Sequence, residues 1–204
     1  MAVLCLLSRA QSYAFSFSVT PAAVSNTYTG TIALDMGGLT NGAQVVVQKY
    51  IDVNGNGVVD PGEPLADSFR ISDGGALSIN GVVDINVPFD SNPTSGAITT
   101  TLRIAPPRAL ANMVGQYVFV LSSPGQHFTP LTAAFSITNA ALAQSLSGVV
   151  YGNGAAPVPY AVVAVLSPPS GNNGGGQWVC GAVADNAGRY RMSLNPGSYM
   201  ALPT

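Results

Sequence analysis

The chain has 204 residues, a formal net charge of −2 and a sequence pI near 5.0. Hydrophobic residues make up 47% of it and charged residues only 8%, against an ordinary charged share of about 25%, which excludes a charged disordered linker and a long charged coiled coil. The seven Lys and Arg residues form no cluster of the kind that a non-specific nucleic-acid binder needs, and no stretch reaches the roughly 18 apolar residues of a membrane span.

In chain order, Met1–Leu7 is apolar and Ser8-Arg9-Ala10 carries the small residues a signal peptidase reads. Residues 1–10 therefore read as the remnant of a signal peptide, or else as a first strand or an unstructured end. Tyr13, Phe15, Phe17 and Val19 alternate with small or polar residues, the two-residue period of a strand. Pro21 and the residues to Asn26 break that strand. "YTGTIAL" predicts the next one, and Asn41-Gly42 has the chemistry of a tight hairpin turn. "AQVVVQKYI", "ADSFRIS", "GVVDINVPF", "GAITTTLRIA", "GQYVFVLSS" and "TAAFSIT" follow as strands, with Pro106-Pro107 ending one of them. After a small-residue stretch the pattern restarts with "LSGVVYG", "AAPVPYAVVAVL", "WVCGAVAD", "GRYRMSL" and "GSYMAL". No core helix is expected, because no long run of three-to-four apolar spacing exists. The expected class is all-β, as tandem Greek-key β-sandwiches: a first unit over 11–139, a linker over 140–146 and a second unit over 147–204. The chain stops at Thr204 just after a strand-like segment, so the second unit is expected to be a fragment lacking its last strand or strands.

One segment carries sharp chemistry. Residues 52–63, "DVNGNGVVDPGE", match the twelve-residue calcium loop in full. Calcium takes roughly six to eight oxygen ligands. Asp52, Asn54 and Asn56 would supply the first three, the Val58 carbonyl the fourth, Asp60 a direct or water-borne one, and Glu63 two. Gly57 would allow the sharp turn, and Val59 would point into the protein. The flanks are strand-like, Pro64 follows at once and no second loop exists, so a Ca2+ ion here would be structural and not a signalling switch. The plain alternative is an Asx- and Gly-rich turn without an ion.

Other chemistry-bearing residues have plainer readings. His127, the sole histidine, lies in the turn-like "SSPGQHFTP", with no nucleophile elbow and no Cys/His pairing. Glu63, the sole glutamate, already belongs to the loop. Asp73, Asp84 and Asp90 sit beside Gly, Asn or Pro and read as turn formers. The glycines at 171–176 lack the lysine of a phosphate loop, since Lys49 is the only lysine. Cys5 and Cys180 make no disulfide framework and no thiolate zinc site, and Cys180 in "QWVCGAV" reads as buried packing. Trp178, Tyr151, Tyr160, Tyr190 and Tyr199 read as core or half-buried residues, with stacking on sugar rings as the functional alternative.

The segment 146–204 carries Gly148, Pro157 to Ala161, Asp185, Gly188-Arg189-Tyr190 and Pro196-Gly197-Ser198-Tyr199. These residues resemble the carboxypeptidase-regulatory-like domain, a transthyretin-like (prealbumin-like) or carbohydrate-binding-like sandwich. That resemblance implies a non-catalytic repeat module found beside peptidases and in bacterial surface proteins. The first unit looks like the immunoglobulin-like modules of bacterial extracellular proteins, with an EF-hand-type calcium loop. Together they imply a non-enzymatic structural or adhesive module, secreted or on the cell surface and rigidified by calcium, with no catalytic residues. A carbohydrate-binding accessory module of an extracellular enzyme is the alternative. The expected partners are neighbouring domains of a longer polypeptide, and a glycan or a host or cell-surface protein; nucleic acid and a membrane span within the segment are not expected.

Overall fold

The computed structural model describes residues 14–75, 78–79, 82–83, 88–104, 113–169 and 176–203. Expectations on Met1–Leu7, Cys5, Asp84, Pro106-Pro107 and the glycines before Gly176 lie outside the described residues. No described residue is helical.

The first region contains β1 (Ser16–Thr20), β2 (Ala23–Ser25), β3 (Thr31–Gly37), β4 (Gln44–Asp52), β5 (Leu65–Ser72), β6 (Ser78–Ile79), β7 (Val82–Val83), β8 (Ile98–Arg103), β9 (Gly115–Ser122) and β10 (Leu131–Thr138). One sheet has the order β1-β3-β8 and the other β2-β10-β9-β4-β5, while β6 pairs with β7. Strand alternation decides which side chains meet between the two larger sheets. Ile32, Leu34 and Met36 of β3 face Val45, Val47 and Ile51 of β4 and Tyr117, Phe119 and Leu121 of β9 in one buried cluster. The ladders are antiparallel except for β2, which lies parallel to β10. At the start of β9 the Tyr117 hydroxyl donates to the Met113 carbonyl at 2.7 Å, pinning the entry to that strand.

Two local expectations change. Asn41-Gly42 is a turn, with Gly42 at φ +72°, but it does not close a hairpin. β3 pairs with β1 and β8 while β4 pairs with β5 and β9, so this turn carries the chain from one sheet to the other. Gly42 N–H donates to the Asp73 carboxylate instead of to a partner strand. The stretch after Pro21 also contains β2. Proline has no N–H for a ladder, and beyond it the chain leaves β3 and adds to β10.

The second region contains β11 (Gln144–Val149), β12 (Val162–Leu166), β13 (Trp178–Val183), β14 (Arg189–Leu194) and β15 (Met200–Pro203). β11 pairs with β14, and β13-β12-β15 form a separate sheet. Val150, Val163, Val165, Cys180 and Met192 are buried together. Burial pushes the Cys180 thiol up to about 11, and its Sγ lies 3.6 Å from Met192 Sδ. β11 opens at Gln144, inside the segment 140–146.

The regions also touch away from the connecting chain. Val114 forms a parallel bridge with Ala182: its N–H donates to the Gly181 carbonyl at 2.9 Å and its carbonyl accepts from Val183 N–H at 3.2 Å. Val162, Trp178 and Val183 pack against the first core. Asn139, just past β10, accepts from Ser193 N–H and donates to the Arg191 carbonyl, clipping the β14 edge to the end of the first region.

Candidate metal centre

The loop 52–63 leaves β4 at Asp52 and returns to β5 through Pro64, whose carbonyl accepts from Ile51 N–H at 2.9 Å and closes the base. Gly57 adopts φ +77°, a backbone region that favours glycine, as the turn chemistry requires. Asp52 and Glu63 are buried at the base, at 6% and 9% exposure.

The carboxylates are held by the main chain. Asp52 Oδ1 accepts from Gly55 N–H at 2.7 Å and Asn56 N–H at 3.2 Å, and Oδ2 accepts from Gly57 N–H at 2.8 Å. The loop is therefore wound around the Asp52 side chain. Glu63 ties the two ends together, with Oε1 accepting from Val53 N–H and Oε2 from Asp60 N–H, both at 3.0 Å. Across the loop, the side-chain amides of Asn54 and Asn56 both donate to Asp60 Oδ2, at 2.6 and 2.7 Å. Two of the side chains expected around one ion thus converge on an oxygen of a third.

The donor chemistry fits a hard cation: carboxylate and amide oxygens, with no nitrogen or sulfur ligand required. Asp52 Oδ2 and both Glu63 oxygens accept one N–H each and keep a lone pair, whereas Asp52 Oδ1 and Asp60 Oδ2 each accept two donors. Presenting oxygen inward requires the two amides to turn, because Asn54 Oδ1 accepts from Asn56 N–H and Asn56 Oδ1 from Val58 N–H. That turn is about a terminal torsion with a broad profile. Among the described residues, no group of three or more His, Cys, Asp or Glu side chains is placed to hold a metal, so Asp52, Asp60 and Glu63 do not by themselves form a cation site. Val58 is exposed at 49%, and its carbonyl is the main-chain donor that the pattern assigns. Val59 is only half-buried, and Val53 is the loop valine that packs against the core.

The remaining chemistry-bearing residues do not gather here. His127 is exposed, with its ring folded over Gly125. Asp73 and Asp90 are buried turn formers: Asp73 Oδ2 accepts from Gly42 and Gly96 N–H, and Asp90 accepts from Gly74, Asn92 and Thr99 N–H. Lys49 was not marked by the sequence pattern as special. Its inward position was readable from Val45, Val47, Lys49 and Ile51, which alternate on one face of β4.

No protein-family model matches the chain, and no curated protein matches it. Among solved structures, macromomycin is similar at 18% identity and a TM-score of 0.32, covering 61% of this chain and 100% of its own. Red sea bream transglutaminase gives 10% identity and a TM-score of 0.33, over 93% of this chain and 27% of that one. The major pilin subunit BcpA of Bacillus cereus gives 10% and 0.24, over 94% and 58%. The described residues form an all-β fold of several small, mostly antiparallel sheets.

Proposed function

We propose that the chain is a non-catalytic structural module of a secreted or cell-surface bacterial protein, in which loop 52–63 holds one structural calcium ion. The observation that carries this reading is the convergence of Asn54 and Asn56 on Asp60, in a loop whose Asp52 and Glu63 carboxylates are already fixed by main-chain N–H groups. Asp52, Asn54, Asn56, Asp60 and Glu63 would contribute side-chain oxygens, and Val58 its carbonyl. The ion would offset two of the three negative charges of Asp52, Asp60 and Glu63 and fix a segment with little packing of its own. Neighbouring domains of a longer polypeptide are the proposed mechanical partners, with adhesion to a glycan or a cell-surface protein as the wider role.

Two features support the finer fold reading. A tyrosine at the start of a strand, bonded back to the main chain a few residues upstream, is a hallmark of immunoglobulin-like sandwiches; Tyr117 and Met113 have that relation. In the second region, Asp185 Oδ1 accepts from Ala187 and Arg189 N–H, Gly188 sits at φ +71°, and the Tyr199 hydroxyl donates to the Asn195 carbonyl. The residues that carry the carboxypeptidase-regulatory-like resemblance thus form turn locks, in keeping with a module and not a reaction centre. Tyr190 and Tyr199 pack against the second core and Trp178 against the first. That favours the structural role over sugar stacking, for which Tyr151 is the exposed candidate.

Calorimetric titration of chelator-treated protein tests the reading. One ion per chain should bind, and melting should rise by the equivalent of about 1 kcal/mol at millimolar calcium, as for extracellular sites with Kd on the order of 10⁻⁴–10⁻³ M. Neither heat nor a melting shift at roughly ten times that Kd would leave the loop as a turn only.

A further inference from the structure

We infer that loop 52–63 sets the docking of the second region onto the first, so that the ion would stiffen the joint between the regions and not the loop alone. This rests on the calcium reading above.

The connection is short and runs through the main chain. Asp52, the first ligand position, is the last residue of β4 and lies opposite Gln116 on β9. Two residues before Gln116, Val114 exchanges hydrogen bonds with Gly181 and Val183 of β13. Fixing Asp52 therefore fixes the end of β4, the start of β9 and the bridge into the second region. The same end of the loop also faces the second region directly. Asp52, Asn54 and Gln116 on one side and Asp185, Arg189 and Arg191 on the other line an open cleft of about 290 Å³. An open cleft supplies little packing to resist movement of its walls, so at this end of the joint the hydrogen-bonded path holds them, beside the apolar contacts of Val162, Trp178 and Val183 with the first core.

The joint has the character of a two-state contact. Trp178 packs against the first core and lies close over Gly181, where a Cβ would meet the indole ring at 2.6 Å and Met113 at 3.1 Å. Among the described residues, its buried Nε1–H has no acceptor. A buried N–H that water would satisfy favours opening, while the apolar ring favours closure. A contact balanced in this way can be biased by a ligand that holds one side of it in place. By linkage, whatever opens the joint must weaken calcium binding by the factor with which calcium favours closure.

Trp178 is the chain's single tryptophan, so its emission reports the joint directly. In the full chain, calcium added to chelated protein should shift Trp178 emission to the blue and reduce its quenching by acrylamide, with the midpoint seen by calorimetry. Asn139→Ala removes the clip to Ser193 and Arg191 without touching the loop. It should raise acrylamide quenching of Trp178 and weaken calcium binding about fivefold or more. Normal heat of binding with unchanged emission and quenching in the wild type would overturn the inference and leave the calcium reading standing. Wild-type calcium affinity in an Asn139→Ala chain whose Trp178 is more quenched would do the same. Absence of any binding heat would overturn both.

Discussion

Lys49 Nζ lies 3.9 Å from the centre of the Tyr117 ring, inside the core of the first region. The rings of Phe119 and Phe135 stand at 5.9 and 5.6 Å from the same nitrogen. A cation gains from aromatic faces, but desolvation dominates and pulls the ammonium down from 10.5 to about 8, with Asp67 partly opposing it. The charged form is thus disfavoured in the folded chain. The cost is complete below pH 8 and is relieved as pH rises from 8 to 10.5. The gap corresponds to roughly 3 kcal/mol. Lys49→Met should therefore stabilise the protein at pH 7 by an amount of that order. Burial also raises Cys180 from 9.0 to about 11 and holds Tyr117 above its usual 10.0, so both remove stability at higher pH. The difference between wild type and Lys49→Met isolates the lysine. Denaturant unfolding at several pH values should show that difference shrinking between pH 8 and 10.5; a constant difference would exclude the effect.

Asp73 ties two loops to the end of β5. Its Oδ2 accepts from both Gly42 and Gly96, and the residue is 8% exposed. Asp73→Ala should leave both N–H groups without that acceptor and destabilise by about 2–4 kcal/mol. Asp73→Asn retains a neutral acceptor and should cost roughly half as much. Equal losses in equilibrium unfolding for the two variants would show that the negative charge, and not the acceptor, is what matters.

Strand identity was legible because alternation is local. Ile32, Leu34 and Met36, or Tyr117, Phe119 and Leu121, declare their inward face within a few residues. Sheet membership is not local. Asn41-Gly42 has hairpin chemistry, yet only the partners of β3 and β4 decide that the turn crosses between sheets. β2 is three residues long and has no period to read; its existence depends on β10, distant in sequence. The loop 52–63 was legible because each position carries its own chemistry. That Asp52 also stands on the path to Val114 and the second region follows only from the register of β4 and β9.

The Tyr117 hydroxyl is a buried donor whose acceptor is the Met113 carbonyl. Tyr117→Phe keeps the ring among Lys49, Phe119 and Phe135 but leaves that carbonyl without this donor. A loss of about 1–3 kcal/mol is expected. Met113 also lies beside Gly181, so emission from Trp178 should change in the same variant. Wild-type stability by denaturant unfolding would show that the hydroxyl does not pin the entry to β9.

Asp52 and Asn54 separate the fold of the loop from its ion. Asp52 accepts three main-chain N–H groups, so Asp52→Ala should destabilise even chelated protein, by about 2–3 kcal/mol. Asn54 gives its amide to Asp60 on the exposed side, and Asn54→Ala should cost no more than about 1 kcal/mol without calcium. Added calcium should then stabilise wild type fully, Asn54→Ala in part, and Asp52→Ala scarcely at all. Glu63→Gln keeps an acceptor for Val53 or Asp60 N–H but not for both, so it should cost about 1–3 kcal/mol in chelator, and it should also lose most of the response to calcium, because the carboxylate that would give two oxygens to the ion is gone. Magnesium, which prefers a smaller octahedral shell and keeps its water, should stabilise wild type less than calcium. Melting curves of the four proteins in chelator, magnesium and calcium decide between a cation loop and a plain turn. A plain turn gives the same ranking in chelator and no calcium-dependent difference among the variants.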